Sequence, residues 1–174
     1  DGSLTVTDRV EMKSPQTFGT ALLTLGGWRK LEDGALMVWD VEEALRVEID
    51  TGGLPYTVKA EEIREDAPGT PTRLGIELDQ PVEKATVTLR IRPLAEPASA
   101  GGNLLRNGGF ELGTWGWDLP RNGMGDLSTE QAATGTTSLK ITDPDAKSGS
   151  NLYSARTPVG ENTDARMGPP IRRS

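Results

Sequence analysis

Neighbouring carboxylates are the side chains of this sequence that come nearest to an acid–base pair. Glu42-Glu43 and Glu61-Glu62 each place two such groups side by side. Hydrolysis of a glycosidic bond by two carboxylates needs groups from separate elements, roughly 5 to 9.5 Å apart across a cleft. Neighbours on one strand point to opposite faces. These pairs therefore indicate a solvated surface rather than a catalytic centre.

The sequence contains no histidine and no cysteine. Histidine is the commonest general base and the commonest metal ligand, and the Ser-His-Asp mechanism requires it. The lack of cysteine excludes disulfides, thiol nucleophiles and thiolate metal sites within these residues. We therefore expect no catalytic residue in this chain.

Aromatic residues in the second half are candidates for binding a sugar. Trp115 and Trp117 stand in Gly113-Thr114-Trp115-Gly116-Trp117, and Tyr153 stands in an expected strand from 151 to 155. An aromatic face binds the apolar face of a pyranose through dispersion. We predict Trp115 and Tyr153 as carbohydrate-binding residues. Core packing is the alternative for both, and it is the prediction for Trp117, because strand alternation would put the two tryptophans on one side.

A cluster of oxygen-bearing side chains follows the expected strand that ends at Ile141. Asp143, Asp145 and Asn151 lie in a polar turn. The Asp-x-Asp spacing is compatible with metal ligation, but the glycine and glutamate of an EF-hand loop do not follow. Asp and Asn also stabilise turns through local hydrogen bonds to the backbone. That simpler explanation is the one we adopt for these residues.

Charge is distributed unevenly along the chain, which has a net charge of -7. Residues 1–96 hold 11 Lys and Arg against 18 Asp and Glu, whereas residues 97–174 hold 8 of each. Neither half has the basic stripe expected of a nucleic-acid-binding protein, and the acidic half would repel anionic lipid headgroups. No run of 18 apolar residues is present to span a membrane. We expect neither nucleic acid nor membrane as a partner.

Hydrophobic alternation with period two predicts an all-β fold of two antiparallel β-sandwich units. Alternating runs occur around Val6, Val47, Val58, Ile76 and Leu89, and Asp33-Gly34 is a strong hairpin signal. We expect a turn over 41–43, before the strand at Val47. The predicted organisation is a β-sandwich domain over 1–94, a linker rich in small residues over 95–102, a partial second unit over 103–159 and a disordered tail over 160–174.

Three separated motifs in the second half resemble the start of a jelly-roll carbohydrate-binding module of the CenC type, as in families 4, 9 and 22. They are Asn103-Leu-Leu-Arg-Asn-Gly-Gly-Phe-Glu-Leu112, the following Gly113–Trp117, and Gly135-Thr-Thr-Ser-Leu-Lys-Ile141. The resemblance implies a truncated jelly roll with a polysaccharide or oligosaccharide as its ligand. It also implies that Glu111 helps to hold a structural calcium ion in the complete module, together with backbone carbonyls and a late aspartate. The strand that would carry this aspartate is missing here.

The first half resembles the C-terminal β-sandwich of heparinase II/III-like polysaccharide lyases, through Leu4-Thr-Val-Thr-Asp-Arg-Val10 and the strands that end at Arg90-Ile-Arg-Pro93. Together the two resemblances imply a non-catalytic carbohydrate-binding fragment of a secreted bacterial polysaccharide lyase or glycoside hydrolase. Such a fragment would be extracellular or periplasmic, and the missing catalytic domain would be its partner. Two alternatives remain open. One is a lyase β-sandwich that contributes to a substrate cleft, and the other is a structural or adhesion β-sandwich without sugar affinity.

Overall fold

Alternating apolar side chains fold the chain into antiparallel β-sheets, as the sequence predicts. The computed structural model describes residues 2–64, 70–94, 104–119, 124–142, 147, 149 and 151–156. These residues form strands, turns and bends without any helix, so they include no helix that could cross a membrane. The predicted linker and tail, together with Asp143 and Asp145, lie outside the described residues.

Eight strands within the described part of the first half form two sheets. A five-stranded sheet has the order β1-β8-β5-β4-β3, and a three-stranded sheet has the order β2-β7-β6. Every neighbouring pair in both sheets is antiparallel. The strands are β1 (Leu4–Gln16), β2 (Gly19–Thr24), β3 (Gly27–Lys30), β4 (Leu36–Trp39), β5 (Ala44–Asp50), β6 (Tyr56–Glu62), β7 (Thr72–Leu78) and β8 (Val82–Pro93).

The main hydrophobic core lies between these two sheets. Its fully buried side chains come from β4 and β5, from β7, and from β8, so both sheets contribute to one cluster. This arrangement is that of a β-sandwich, in which the inward-facing residues of two sheets interdigitate. The buried members are Leu36, Val47, Leu74, Ile76, Leu78, Ala85, Val87 and Leu89.

Two local sequence signals are confirmed in the first half. The Asp33-Gly34 turn joins β3 to β4, with Gly34 at a φ of 86° and the Asp33 carboxylate accepting a hydrogen bond from the Ala35 amide. The expected turn after Asp40 also forms, because the Asp40 carboxylate accepts hydrogen bonds from the amides at 42 and 43 before β5 begins. Asp and Asn at such positions commonly fix turns in this way.

A second apolar cluster, the outer cluster, covers part of the outer face of the five-stranded sheet. Leu36 of β4 packs in the main core, whereas Met37 and Trp39 belong to the outer cluster, together with Ala44 of β5 and Trp115. Alternation along β4 explains this division, because successive side chains point to opposite faces. β4 is therefore buried on both faces, and segment 104–119 supplies the cover on the outer face.

The described residues beyond 104 form only short strands. β9 (Trp117–Asp118) pairs with β12 (Tyr153–Ser154), and β10 (Gly125–Ser128) pairs with β11 (Ser138–Ile141). Both pairs are antiparallel two-stranded sheets, which are marginal in isolation. They fit the expected all-β class, while the jelly-roll arrangement of the second unit stays a prediction.

Candidate functional site

The loop from Asn107 to Trp117 is organised by one asparagine side chain. The Asn107 amide nitrogen donates to the carbonyl oxygens of Gly113, at 2.8 Å, and Trp115, at 3.0 Å. The Asn107 amide oxygen accepts from the backbone N–H of Leu112 at 3.0 Å. One side chain therefore satisfies three backbone groups that have no strand to pair with.

Asn107 also adopts a backbone conformation that suits its residue type. Its φ is 46°, in the left-handed region that asparagine tolerates better than most residues. The Asn107 carbonyl oxygen accepts hydrogen bonds from the Phe110 amide at 2.9 Å and from Trp117 Nε1 at 3.1 Å. Asn107 is not among the residues predicted from the sequence, although an asparagine before two glycines is a signal for a turn of this kind.

Glu111 connects two motifs that are separated along the sequence. Its carboxylate accepts hydrogen bonds from the backbone amides of Thr136, at 2.9 Å, and Thr137, at 2.8 Å, and from the Thr136 hydroxyl at 2.9 Å. These bonds stabilise the charged form, so the Thr137 amide, followed by the Thr136 amide, lowers the pKa of Glu111 below its ordinary value. The backbone carbonyl of Glu111 accepts a further bond from Arg29 Nη1 at 2.8 Å.

The predicted calcium site at Glu111 has no oxygen shell in the described residues. Calcium requires about six to eight oxygen ligands, whereas the Glu111 carboxylate faces N–H and O–H donors. Among the residues that the structure describes, no group of three or more acidic, histidine or cysteine side chains could hold a metal ion. The arrangement as described does not fit the ion, and calcium in a complete module stays a prediction.

Trp115 is buried, with only 2% of its surface exposed. It packs with Met37, Trp39 and Ala44 of the five-stranded sheet, and the Arg106 guanidinium carbon lies 5.5 Å from the centre of its ring. A ring in this position has no face open to a sugar. The structure therefore favours the core alternative for Trp115 over a stacking role.

Trp39 links the sandwich to the loop that carries Trp115. Its Nε1 donates to the Thr114 hydroxyl at 3.1 Å. The indole lies against Gly27 on one strand and Gly113 in the loop, where a Cβ atom would come within 2.5 and 2.9 Å of the ring. Glycine at these two positions allows the close approach. Trp39 is therefore a buried residue of the outer cluster and not of the main core.

Trp117 is partly buried and contacts Phe110, with ring centres 4.9 Å apart. It does not share a strand with Trp115, whereas the prediction that both tryptophans lie on one side assumed a single strand. Trp115 precedes β9 in a turn, and Gly116 has a φ of 83° between the two tryptophans. The backbone reversal sends Trp115 to the sandwich and Trp117 to the aromatic pair.

Tyr153 is the most accessible aromatic residue of the predicted site. It is 59% exposed and lies directly opposite Asp118 in the β9–β12 pair. Residues that face each other across antiparallel strands have Cβ atoms about 4.5 to 5.5 Å apart. An exposed ring and an exposed carboxylate therefore lie side by side, which combines an apolar surface with a hydrogen-bond acceptor.

Comparison with known proteins finds no match to this chain. No family model fits it, and no curated protein or solved structure is significantly similar. Its function therefore has to be inferred from the motifs and the geometry described above.

Proposed function

We propose that this chain is a non-catalytic carbohydrate-binding fragment of a secreted polysaccharide-degrading enzyme. Its ligand is a polysaccharide or oligosaccharide, and it acts outside the cytoplasm, in the periplasm or the extracellular medium. In this role it holds a catalytic domain of the parent enzyme near its substrate. Such tethering raises the effective concentration of the glycan without any new chemistry.

The observation that carries the proposal is the exposed ring of Tyr153 beside the carboxylate of Asp118. A pyranose has an apolar face of C–H groups and a rim of hydroxyls. The Tyr153 ring offers dispersion contact to that face, and the Asp118 carboxylate accepts hydrogen bonds from the rim. The pair thus matches both parts of a sugar.

The loop around Asn107 supports the proposal by fixing the strand that carries Asp118. Its hydrogen bonds hold the backbone of Gly113 and Trp115, and the Trp117 indole is tied to the Asn107 carbonyl. The Ala155 amide donates to the Gly116 carbonyl at 2.7 Å, which adds a bond after Tyr153. A binding site on preorganised backbone loses less entropy when a ligand binds.

Affinity electrophoresis of the full chain in gels that contain a neutral or an acidic soluble polysaccharide tests the proposal. We expect retardation in at least one gel and a loss of about tenfold in affinity for Tyr153→Ala, which corresponds to about 1.4 kcal/mol. Tyr153→Phe keeps the ring and should retain most of the affinity. Ser154→Ala, on the opposite side of the same strand, is the matched control.

Two results would count against a carbohydrate-binding role. The first is migration of the unmodified chain at an equal rate in all gels with and without polysaccharide. The second is retardation that Tyr153→Ala and Ser154→Ala change equally, with circular dichroism showing both variants folded. Trp115→Ala is unsuitable for this test, because Trp115 is buried in the outer cluster.

A further inference from the structure

A pocket on the sandwich lies apart from the residues assigned above. It is at the edge of the three-stranded sheet and has a volume of about 290 Å³. The pocket is lined by Thr17 and Phe18 just before β2, by Gly19 at the start of β2, and by Arg73, Glu77 and Leu78 of β7. This volume is at the lower end of ligand pockets, which span about 300 to 1,000 Å³, so a ligand of monosaccharide size fits.

The cationic group of the pocket is available to a ligand. Arg73 is partly buried in β7, and among the described residues its guanidinium makes no ion pair or hydrogen bond. A guanidinium carries five N–H donors in a fixed plane and pairs with a carboxylate through two parallel hydrogen bonds. Its usual partner in a protein is thus an anion with two oxygens.

Gly75 allows the Arg73 guanidinium to lie against the sheet. A Cβ atom at Gly75 would be 2.6 Å from Arg73 Nη1 and 3.6 Å from Glu77 Oε1. Both polar groups therefore converge over the one position of β7 that has no side chain. Ala21 faces Gly75 from β2, so only a methyl group stands beside it on that side, and Lys59 faces it from β6.

The negative charge of Glu77 does not close the pocket to an anion. Lys59 of β6 donates to Glu77 Oε2 at 2.5 Å, so an adjacent positive charge offsets it. Glu77 Oε1 remains on the side of Gly75, where it can accept a hydrogen bond from a ligand hydroxyl. Thr17 also lines the pocket, and a threonine hydroxyl can donate or accept a hydrogen bond.

We propose that this pocket binds a small organic carboxylate that also carries hydroxyl groups. The carboxylate pairs with Arg73, and the hydroxyls bond to Glu77 and Thr17. Phe18, which is partly buried against the main core, also lines the pocket. Such a ligand is either a cyclic sugar acid or an open-chain hydroxy acid. This inference does not depend on the role proposed for Tyr153, which lies in the second half of the chain.

NMR titration of the full chain with sodium D-glucuronate, sodium D-gluconate, sodium acetate and D-glucose tests the inference, at constant ionic strength. We expect saturable shifts of the Gly19, Gly75 and Glu77 amides with one or both hydroxy acids. Acetate should bind at least tenfold more weakly, and glucose should give no saturable shift. Tighter binding of glucuronate supports a cyclic sugar acid, and tighter binding of gluconate supports an open-chain acid.

Substitutions separate a specific guanidinium contact from general charge. Arg73→Gln should weaken binding at least tenfold, and Arg73→Lys should weaken it nearly as much, because lysine lacks the planar pair of donors. Gly75→Ala keeps the charge but displaces the flexible guanidinium, so it should also weaken binding. Arg90→Gln is the matched control, since Arg90 is exposed on β8 in the other sheet.

Three outcomes would overturn the inference. They are the absence of saturable shifts with both hydroxy acids, equal weakening by Arg73→Gln and Arg90→Gln, and acetate affinity equal to that of the hydroxy acids. Affinity electrophoresis of Tyr153→Ala reports separately on the proposed function. A failure of one proposal therefore leaves the other open to its own test.

Discussion

The two buried tryptophans of the outer cluster differ in the hydrogen bonding of their Nε1 groups, and a matched pair of substitutions can measure the effect of this difference on stability. Trp39 is 9% exposed and donates its Nε1 hydrogen to Thr114, whereas Trp115 is 2% exposed and its Nε1 is buried without a hydrogen-bond partner among the described residues. Replacing either indole by phenylalanine removes the same atoms from the same cluster. The loss of packing is therefore similar, and it largely cancels when the two variants are compared.

The contributions of the two Nε1 groups to the free energy of unfolding do not cancel. Trp39→Phe removes a bond worth about 1 kcal/mol net. Trp115→Phe removes an orphan donor, whose burial costs about 1 to 3 kcal/mol in the native state. The Arg106 contact with the Trp115 ring offsets part of this gain, by less than about 1 kcal/mol. We therefore expect Trp39→Phe to be the less stable variant by about 1 to 4 kcal/mol.

Urea unfolding followed by far-ultraviolet circular dichroism measures this difference in the free energy of unfolding. This signal avoids the change in fluorescence that loss of a tryptophan causes. The two variants should show similar slopes against urea, so that the midpoints report stability alone. Equal stability of the variants, or a more stable Trp39→Phe, would contradict this expectation, because it would mean that Trp115 Nε1 has a partner in solution.

Two further predictions concern Glu111 and the glycines of tight turns. Hydrogen bonds lower the folded-state pKa of Glu111, so its stabilising effect is complete above the ordinary glutamate pKa and declines as pH falls through the folded value. The urea midpoint of Glu111→Gln should therefore approach that of the unmodified chain at low pH, and Glu83→Gln, at an exposed site of β8, is the matched control. Gly113→Ala should be less stable than Gly34→Ala by about 1 to 3 kcal/mol, because both have positive φ but only the Gly113 site faces the Trp39 ring. A constant Glu111→Gln offset at every pH would exclude the proposed role of its hydrogen bonds, and equal midpoints for the two glycine variants would exclude a steric effect of the Trp39 ring.

The sandwich was predictable because its strands follow local rules. Apolar and polar residues alternate around Val47 and around Leu89, and Asp33-Gly34 marks a hairpin. The positions of the strands could therefore be predicted from short stretches of sequence. β4 also shows the limit of this approach. Met37 and Trp39 belong to an unbroken apolar run, which indicates burial on two faces but does not identify the segment that covers the second face.

The contacts of the second half depend on residues that lie far apart along the chain. Glu111 bonds to the turn at Thr136 and Thr137, 25 and 26 positions away. The residues next to Glu111 do not indicate which donors will reach its carboxylate. The prediction for Glu111 therefore depended on the motif resemblance, which implied an ion. For Trp115, alternation applies only to an extended strand, and the positive φ of Gly116 reverses the backbone before β9.

Because of the outer cluster, this protein does not divide into two independent pieces at the boundary near residue 95. A chain cut after Leu94 would expose Met37 and Trp39 on the face of the five-stranded sheet, and the remaining piece would expose Trp115 and Leu112. Contiguous apolar patches of this kind promote self-association. Fragments divided at the compositional boundary near residue 95 would therefore tend to aggregate or to recombine with each other, and solubility would be retained by keeping segment 104–119 with the sandwich.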